Sequence, residues 1–224
     1  MNFHPRLLAE TARERAELQS LPIVQRALAG RIRREEYAAF LGQAFHHVRH
    51  TVPLLMACGA RLPARHEWLR RAVAEYIEEE IGHEEWILDD LEALGEDRAR
   101  WAASTPLHAT ELMVAYAYDG IARVSPLSFF GMVLVLEGTS VALATRAAET
   151  IETSLGLPRT AFSYLRSHGD LDIEHVGFFE KLMDRLEDPD DQAAVVHAAR
   201  RFYRLYGDIF RSLRAPADAV REAA

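Results

Sequence analysis

The stretch SHGDLDIEHVGFFEKL (167–182) sets His168, Asp172 and His175 at helical spacing, so one stripe of one helix carries two imidazoles and a carboxylate. Leu165 and Phe179 extend that stripe with apolar side chains. A stripe bounded by core residues is expected to face inward, where a carboxylate between two imidazoles suits a metal ion. A surface face, interrupted at Gly169, is the plainer alternative.

A second pair stands in AEYIEEEIGHEEWILDDL (74–91). Val73, Ile77, Ile87 and Leu91 mark an apolar stripe that passes through Glu80 and Glu84, with His83 beside them. Glu80-x-x-His83 is therefore expected to point inward or to the edge of the core. Glu79 is also within reach of His83 but lies further round, and much of Glu78, Glu79, Glu84 and Glu85 reads as a solvated face.

In PLSFFGMVLVLEGTSVALATR (126–146) the only charge before Arg146 is Glu137. A helix apolar on every side belongs in a core, and a lone carboxylate buried there must be neutral, paired or bound to a cation. A hydrogen bond from Arg, Tyr or His on a neighbouring helix would satisfy it as well as a metal. Taken together, two helices offering carboxylate-x-x-His and a third offering a buried Glu approximate the way helical bundles hold two iron or manganese ions.

LGQAFHHVRHTVP (41–53) adds a histidine cluster in which Gln43, His46 and His50 share one face and His47 sits a turn from Gln43. His46 is the candidate further ligand, or a partner that holds one; the others read as ordinary hydrogen-bonding residues. His4, His66, His108 and His197 have no ligand-like neighbours in sequence. Tyr76, Tyr116, Tyr118 and Tyr164 could each offer a hydrogen bond or a radical near a metal, although core packing is the commoner role of such residues. Tyr76 and Tyr164 are taken as the catalytic candidates.

The elements that must position these groups are helices. Apolar periodicity is helical nearly throughout, and no alternating segment is bounded by turn signals as a strand would be. Helices are expected at roughly 5–18, 20–30, 33–60, 64–94, 106–120, 125–154, 158–185 and 188–214. Long helices joined by short loops predict an antiparallel bundle, with the third helix kinked or interrupted at Pro53. No composition shift divides residues 1–224, which are read as one all-α domain.

Twenty-six basic against 34 acidic residues give a formal net charge of −8, which argues against nucleic acid as a partner. The single cysteine, Cys58, excludes an internal disulfide framework and any multi-cysteine metal site. The opening MNFHPRLLAE does not read as a secretory signal, and the apolar run FFGMVLVLEG is too short and interrupted to cross a bilayer, so a cytoplasmic protein without a membrane partner is expected.

The chain resembles the haem-oxygenase-like diiron oxidases, iron-containing redox enzymes related in fold to the TenA/THI-4 and PqqC proteins. The likeness runs from LPIVQRALAGRIRREEYAAFLGQAFHHVRHT through EEEIGHEEWILDDLEALG and VLEGTS to HGDLDIEH. Its most specific part is His-x-x-x-Asp-x-x-His, met by His168, Asp172 and His175. The resemblance implies a haem-oxygenase-like bundle of seven to eight helices. It also implies a ligand set of Glu80, His83, Glu137, His168, Asp172 and His175 for Fe(II), two ions per chain, with manganese as the alternative metal. Oxidation of a small organic molecule by O₂ would follow, in a chain that pairs as a homodimer. Many relatives carry their first Glu where this chain has Tyr76, so Glu80 or Glu79 must serve instead; some carry an extra carboxylate on the early helix, where this chain offers Gln43 and His46.

Three other functions fit parts of the sequence. A metal-free TenA/THI-4-like hydrolase would need a late cysteine nucleophile, and only the early Cys58 exists. A haem oxygenase in the strict sense would use an N-terminal histidine, for which His4 is available, but would leave Glu137 and the His168 stripe without a role. A non-catalytic ligand-binding bundle would use the polar core residues to satisfy one another.

Overall fold

A computed structural model describes residues 2–213 of the chain, apart from the side chains of residues 168–175. In order, the helices are α1 (Phe3–Glu10), α2 (Ala12–Gln19), α3 (Pro22–Leu28), α4 (Arg34–Val48), α5 (Thr51–Arg61) and α6 (Glu67–Glu80). They continue with α7 (His83–Ala93), α8 (Arg98–Ala102), α9 (His108–Asp119), α10 (Ser128–Leu155), α11 (Ser163–Asp184) and α12 (Pro189–Ser212). No strand occurs among the described residues, as the helical periodicity predicts.

There are more helices than the seven or eight expected, and each extra break has a local cause. Thr11 turns its hydroxyl back on the Leu7 carbonyl at 2.8 Å, separating α1 from α2. The expected helix over 33–60 is interrupted at Arg49–His50, just ahead of Pro53, which does not kink a continuous helix. Pro53 is instead the third residue of α5, in the first turn, where a backbone N–H would have no intrahelical partner in any case. The expected helix over 64–94 is broken at Ile81–Gly82, where Gly82 takes φ 90° and ψ 0°. That left-handed conformation is open to glycine and strained for other residues. The loop expected around GEDRARWAASTP contains α8, started by Asp97, whose carboxylate accepts the Arg100 N–H at 3.0 Å.

The helices share one hydrophobic core, in which α10 packs along both α11 and α12. Gly131 permits the second contact. A Cβ there would lie 2.5 Å from the Ala199 nitrogen and 2.7 Å from the Ala198 Cβ, so only a bare backbone fits. By length and composition alone α10 is apolar enough to cross a membrane, unlike the shorter run seen in the sequence, yet over half of that apolar window (56%) is buried inside the protein. Its hydrophobicity is that of a core helix. α4 lies on α7, α5 on α6, and α9 on α12.

Candidate functional site

Glu80 is the last residue of α6 and His83 the first of α7. They do not form a pair on one helical face, as the spacing alone suggests. The turn at Gly82 folds them together, with the Glu80 Oε2 3.1 Å from the His83 Nδ1. Both side chains are buried, and Trp86 stacks on the imidazole with ring centroids 4.0 Å apart. Glu79, the neighbouring donor, is exposed.

Glu137 enters from α10. The preceding residues Phe129–Val135 are buried, whereas residues 136–140 are half-buried. Full burial on all sides was expected of this helix; the difference arises because Leu136, Glu137 and Ser140 form part of a cavity wall. Glu80 lines the same cavity, whose volume is ≈ 60 Å³. Two carboxylates from helices far apart in sequence therefore border one space. His47, Thr51, Tyr164 and Tyr206 complete its polar lining, while Phe129 and Met132 supply apolar wall.

The histidines of α4 and of the turn after it differ in what they touch. His46, the expected further ligand, turns to Ser104, with Nε2 2.9 Å from the hydroxyl oxygen, and does not border the cavity. Burial lowers its pKa, and Arg49 and His50 lower it further, favouring the neutral ring. His50 places Nδ1 3.1 Å from the Tyr118 hydroxyl. Gln43 accepts the Leu107 N–H and the Thr110 hydroxyl, tying α4 to the start of α9. His47 is the one that reaches the cavity, buried and edge-on to Tyr206. Its signal in the sequence was the spacing Tyr37, Phe40, Ala44, His47, Thr51, a single inward stripe.

Of the tyrosines, Tyr164 lines the cavity, whereas Tyr76 is buried with its ring against Phe178, centroids 5.5 Å apart. Tyr116 packs edge-on against Phe202. Ser140, Thr51 and Tyr206 were not singled out in the sequence, since a serine, a threonine and a tyrosine on amphipathic helices carry no distinguishing pattern. His4 sits by the end of α11, its ring edge-on to Phe179.

The side chains of His168, Asp172 and His175 lie outside the described residues. Their helix, α11, packs against both α10 and α7, the helices that hold Glu137 and His83. Asp90 of α7 anchors its start: the Asp90 carboxylate accepts the backbone N–H groups of Ser163 and Tyr164 at 2.8 and 3.0 Å and the Ser163 hydroxyl as well. Among the described residues no three His, Cys, Asp or Glu side chains are grouped so as to hold a metal ion by themselves.

A model of the iron-containing redox enzyme family matches residues 38–207, which take in Glu80, His83, Glu137 and the whole of α11. The chain belongs to that family. Among curated protein sequences, no significant match was found.

Similar folds accompany the family assignment. A domain of unknown function with a heme oxygenase-like fold from Shewanella denitrificans superposes with a TM-score of 0.86 at 21% identity, over 98% of this chain and 95% of that one. A TenA homologue from P. horikoshii gives 0.78 at 10% identity, over 95% and 98% of the two chains. Heme oxygenase-1 from Synechocystis, in complex with heme, gives 0.74 at 13% identity, over 100% and 96%. At these identities the likeness establishes a heme oxygenase-like fold for this iron-containing redox enzyme, and its chemistry has to be argued from the site.

Proposed function

We propose that the protein is a non-haem diiron oxidase or oxygenase that uses O₂ to oxidise a small organic molecule in the cavity beside Glu80 and Glu137. The observation that carries this reading is the arrival of two carboxylates from separate helices at one cavity, with His83 held at Glu80. Carboxylate oxygens with imidazole nitrogen are a donor set suited to iron, and they supply the negative charge that a dication needs in a buried place. The proposed set is completed by His168, Asp172 and His175 on α11, and it holds two Fe(II), with manganese as the substitute. A cytoplasmic setting goes with this reading.

Bound iron would supply the electrons for O₂ reduction. The protein's own part is positioning. With a proton on Nδ1, His83 donates to Glu80, which fixes the plane of the ring, and Trp86 blocks its other movements by stacking. Tyr164 and Ser140 border the cavity beside the carboxylates and would orient a polar group of the substrate by hydrogen bonding. Phe129, Met132 and Leu136 keep bulk water from the same space. Tyr76, the other catalytic candidate taken from the sequence, lies buried on α6 with its ring against Phe178 of α11.

Anaerobic titration of the metal-free protein with Fe(II), followed by exposure to O₂ under stopped-flow absorbance, tests the proposal. Saturation near two irons per chain is expected, with an oxygen-dependent absorbance lost in Glu137→Ala and His168→Ala. Absence of specific iron binding, with both variants indistinguishable from wild type, would overturn it.

A further inference from the structure

The outer face of α12 is basic. From His197 onwards its exposed positions are His197, Arg200, Arg201, Arg204 and Arg211, which at about 100° per residue fall in one sector of the helix. Asp208, half-buried, is the acidic residue of that sector. Four arginines against one aspartate reverse the balance of the chain as a whole, whose net charge is −8. α12 lies along α2, and Arg13, Glu14 and Glu17 of α2 form the other wall of a groove with this face.

Part of the charge is neutralised on the spot. Arg13 pairs with Glu17 at 2.8 Å and Arg211 with Asp208 at 2.6 Å. Arg200 donates to the Glu10 carbonyl at 2.9 and 3.0 Å and lies 3.6 Å from the Glu10 carboxylate. Among the described residues Arg201 and Arg204 have no ion pair, and Glu14 is the acidic side chain of the groove that stands outside these pairs. Arg201 and Arg204 are one turn apart, so two planar guanidinium forks, the shape that fits a carboxylate, project side by side from one helix.

Such a face calls for a negatively charged partner, and the rest of the molecule selects among the kinds available. The sector lacks the exposed Leu, Phe or Trp with which an amphipathic helix enters a lipid surface. A nucleic acid would be repelled by the net negative charge of the chain. A second copy offers the acidic surface of α6 and α7, where Glu75, Glu78, Glu79, Glu85 and Asp89 are exposed, but a pair joined through two unlike faces leaves one of each uncovered. An acidic protein fits both surfaces, being drawn to α12 and turned away from α6 and α7 by the same charge distribution.

The inner face of the same helix gives that contact a purpose. Tyr206 follows Arg204 by two residues, about 200° round the helix, and borders the cavity that Glu80 and Glu137 share. A protein on the arginine face would sit one helix thickness, about 10 Å, from Tyr206. An iron-containing redox enzyme that reduces O₂ has to be supplied with electrons, and a chain with one cysteine has no set of thiolates to hold an iron–sulfur carrier of its own.

We propose that the arginine face of α12 docks an acidic one-electron carrier protein, which reduces the iron beside Glu80 and Glu137. The assignment rests on the reading of that cavity as the place of the iron. Each encounter moves one electron: the carrier is oxidised by one unit as one Fe(III) becomes Fe(II), and no atom is transferred. Arg201 and Arg204 supply attraction and orientation and take no part in the redox step.

A plant-type [2Fe–2S] ferredoxin, an acidic one-electron carrier, is the probe. Calorimetric titration of ferredoxin into the metal-free protein should show binding that weakens as NaCl is raised and is lost in the double variant Arg201→Glu, Arg204→Glu. Arg201→Gln with Arg204→Gln should bind at an intermediate level. Arg61→Glu with Arg71→Glu, which alters the net charge as much as the first pair but on α5 and α6, should stay close to wild type. Circular-dichroism melts check that each variant folds. With iron bound, stopped-flow reduction of the Fe(III) protein by reduced ferredoxin should slow about tenfold in the Arg201→Glu, Arg204→Glu variant, whereas reduction by the small mediator methyl viologen should not change. Binding and reduction that ignore salt, or that are equal in wild type and the folded glutamate variant, would overturn the proposal. So would self-association at low salt that the same substitutions abolish, which would give the face to a second copy. Docking that depends on salt and on both arginines, without iron uptake, would uphold the docking face and defeat the diiron reading; iron uptake without docking would do the reverse.

Discussion

The Glu80 Oε2 and the His83 Nδ1 lie 3.1 Å apart across a two-residue break in the helix, at the junction of α6 and α7. Had α6 run on unbroken, the two side chains would have pointed along one helix face as neighbours one turn apart. Instead the turn at Gly82 gives each residue a helix of its own, and the pair is set by the angle between those helices.

That angle depends on Gly82. A Cβ at this position would meet nothing within 4 Å, so the cost of Gly82→Ala is the left-handed backbone alone, about 1 kcal/mol. A lower urea midpoint is expected, with Gly82→Asn retaining more of the wild-type stability because Asn tolerates φ > 0. An alanine variant as stable as wild type would show that the break can form without glycine.

Asp90 sets the position of α11 by accepting the first N–H groups of that helix, in addition to the Ser163 hydroxyl. Removing these acceptors in Asp90→Ala leaves part-buried donors without partners and should cost about 2 kcal/mol in chemical denaturation. Burial raises the Asp90 pKa, with the Ser163 and Tyr164 hydrogen bonds offsetting part of the rise. The folded protein thus holds this proton more tightly than the unfolded chain. The stability it contributes is fully present below the ordinary aspartate range and is lost as pH rises through the raised folded value. A plot of melting temperature against pH should show that loss in wild type and lack it in Asp90→Asn. An unchanged slope in Asp90→Asn would remove Asp90 as its source.

Cys58 is buried, its thiol within 3.3 Å of the Pro126 carbonyl, and burial pushes its pKa up to about 12. At pH 8 its thiolate fraction is roughly a thousandfold below that of a thiol at the ordinary 9.0. Iodoacetamide should therefore label the native protein far more slowly than the unfolded chain, as mass spectrometry would record. Rapid native labelling would revive the hydrolase reading with Cys58 as nucleophile.

Local pattern made a large part of this protein legible from its sequence. The all-α class follows from apolar periodicity, which depends only on the repeat of the helix itself. The inward direction of Glu80 follows from Val73, two turns earlier on α6, and that of His83 from Ile87, one turn later on α7, and both residues are buried in the fold.

Tertiary structure decided the rest. A glycine inside a helical pattern can be tolerated, so nothing in EEEIGHEE announced that Gly82 would adopt φ 90° and divide the helix. His46 and His47 are adjacent and point about 100° apart; which of them faces a cavity depends on where α10 and α12 lie, and those helices are more than eighty residues away along the chain. The cavity itself draws His47, Glu80, Glu137, Tyr164 and Tyr206 from five helices. Helical periodicity is a property of neighbours in sequence, whereas a cavity is a property of the packing between helices, and only the folded chain determines it.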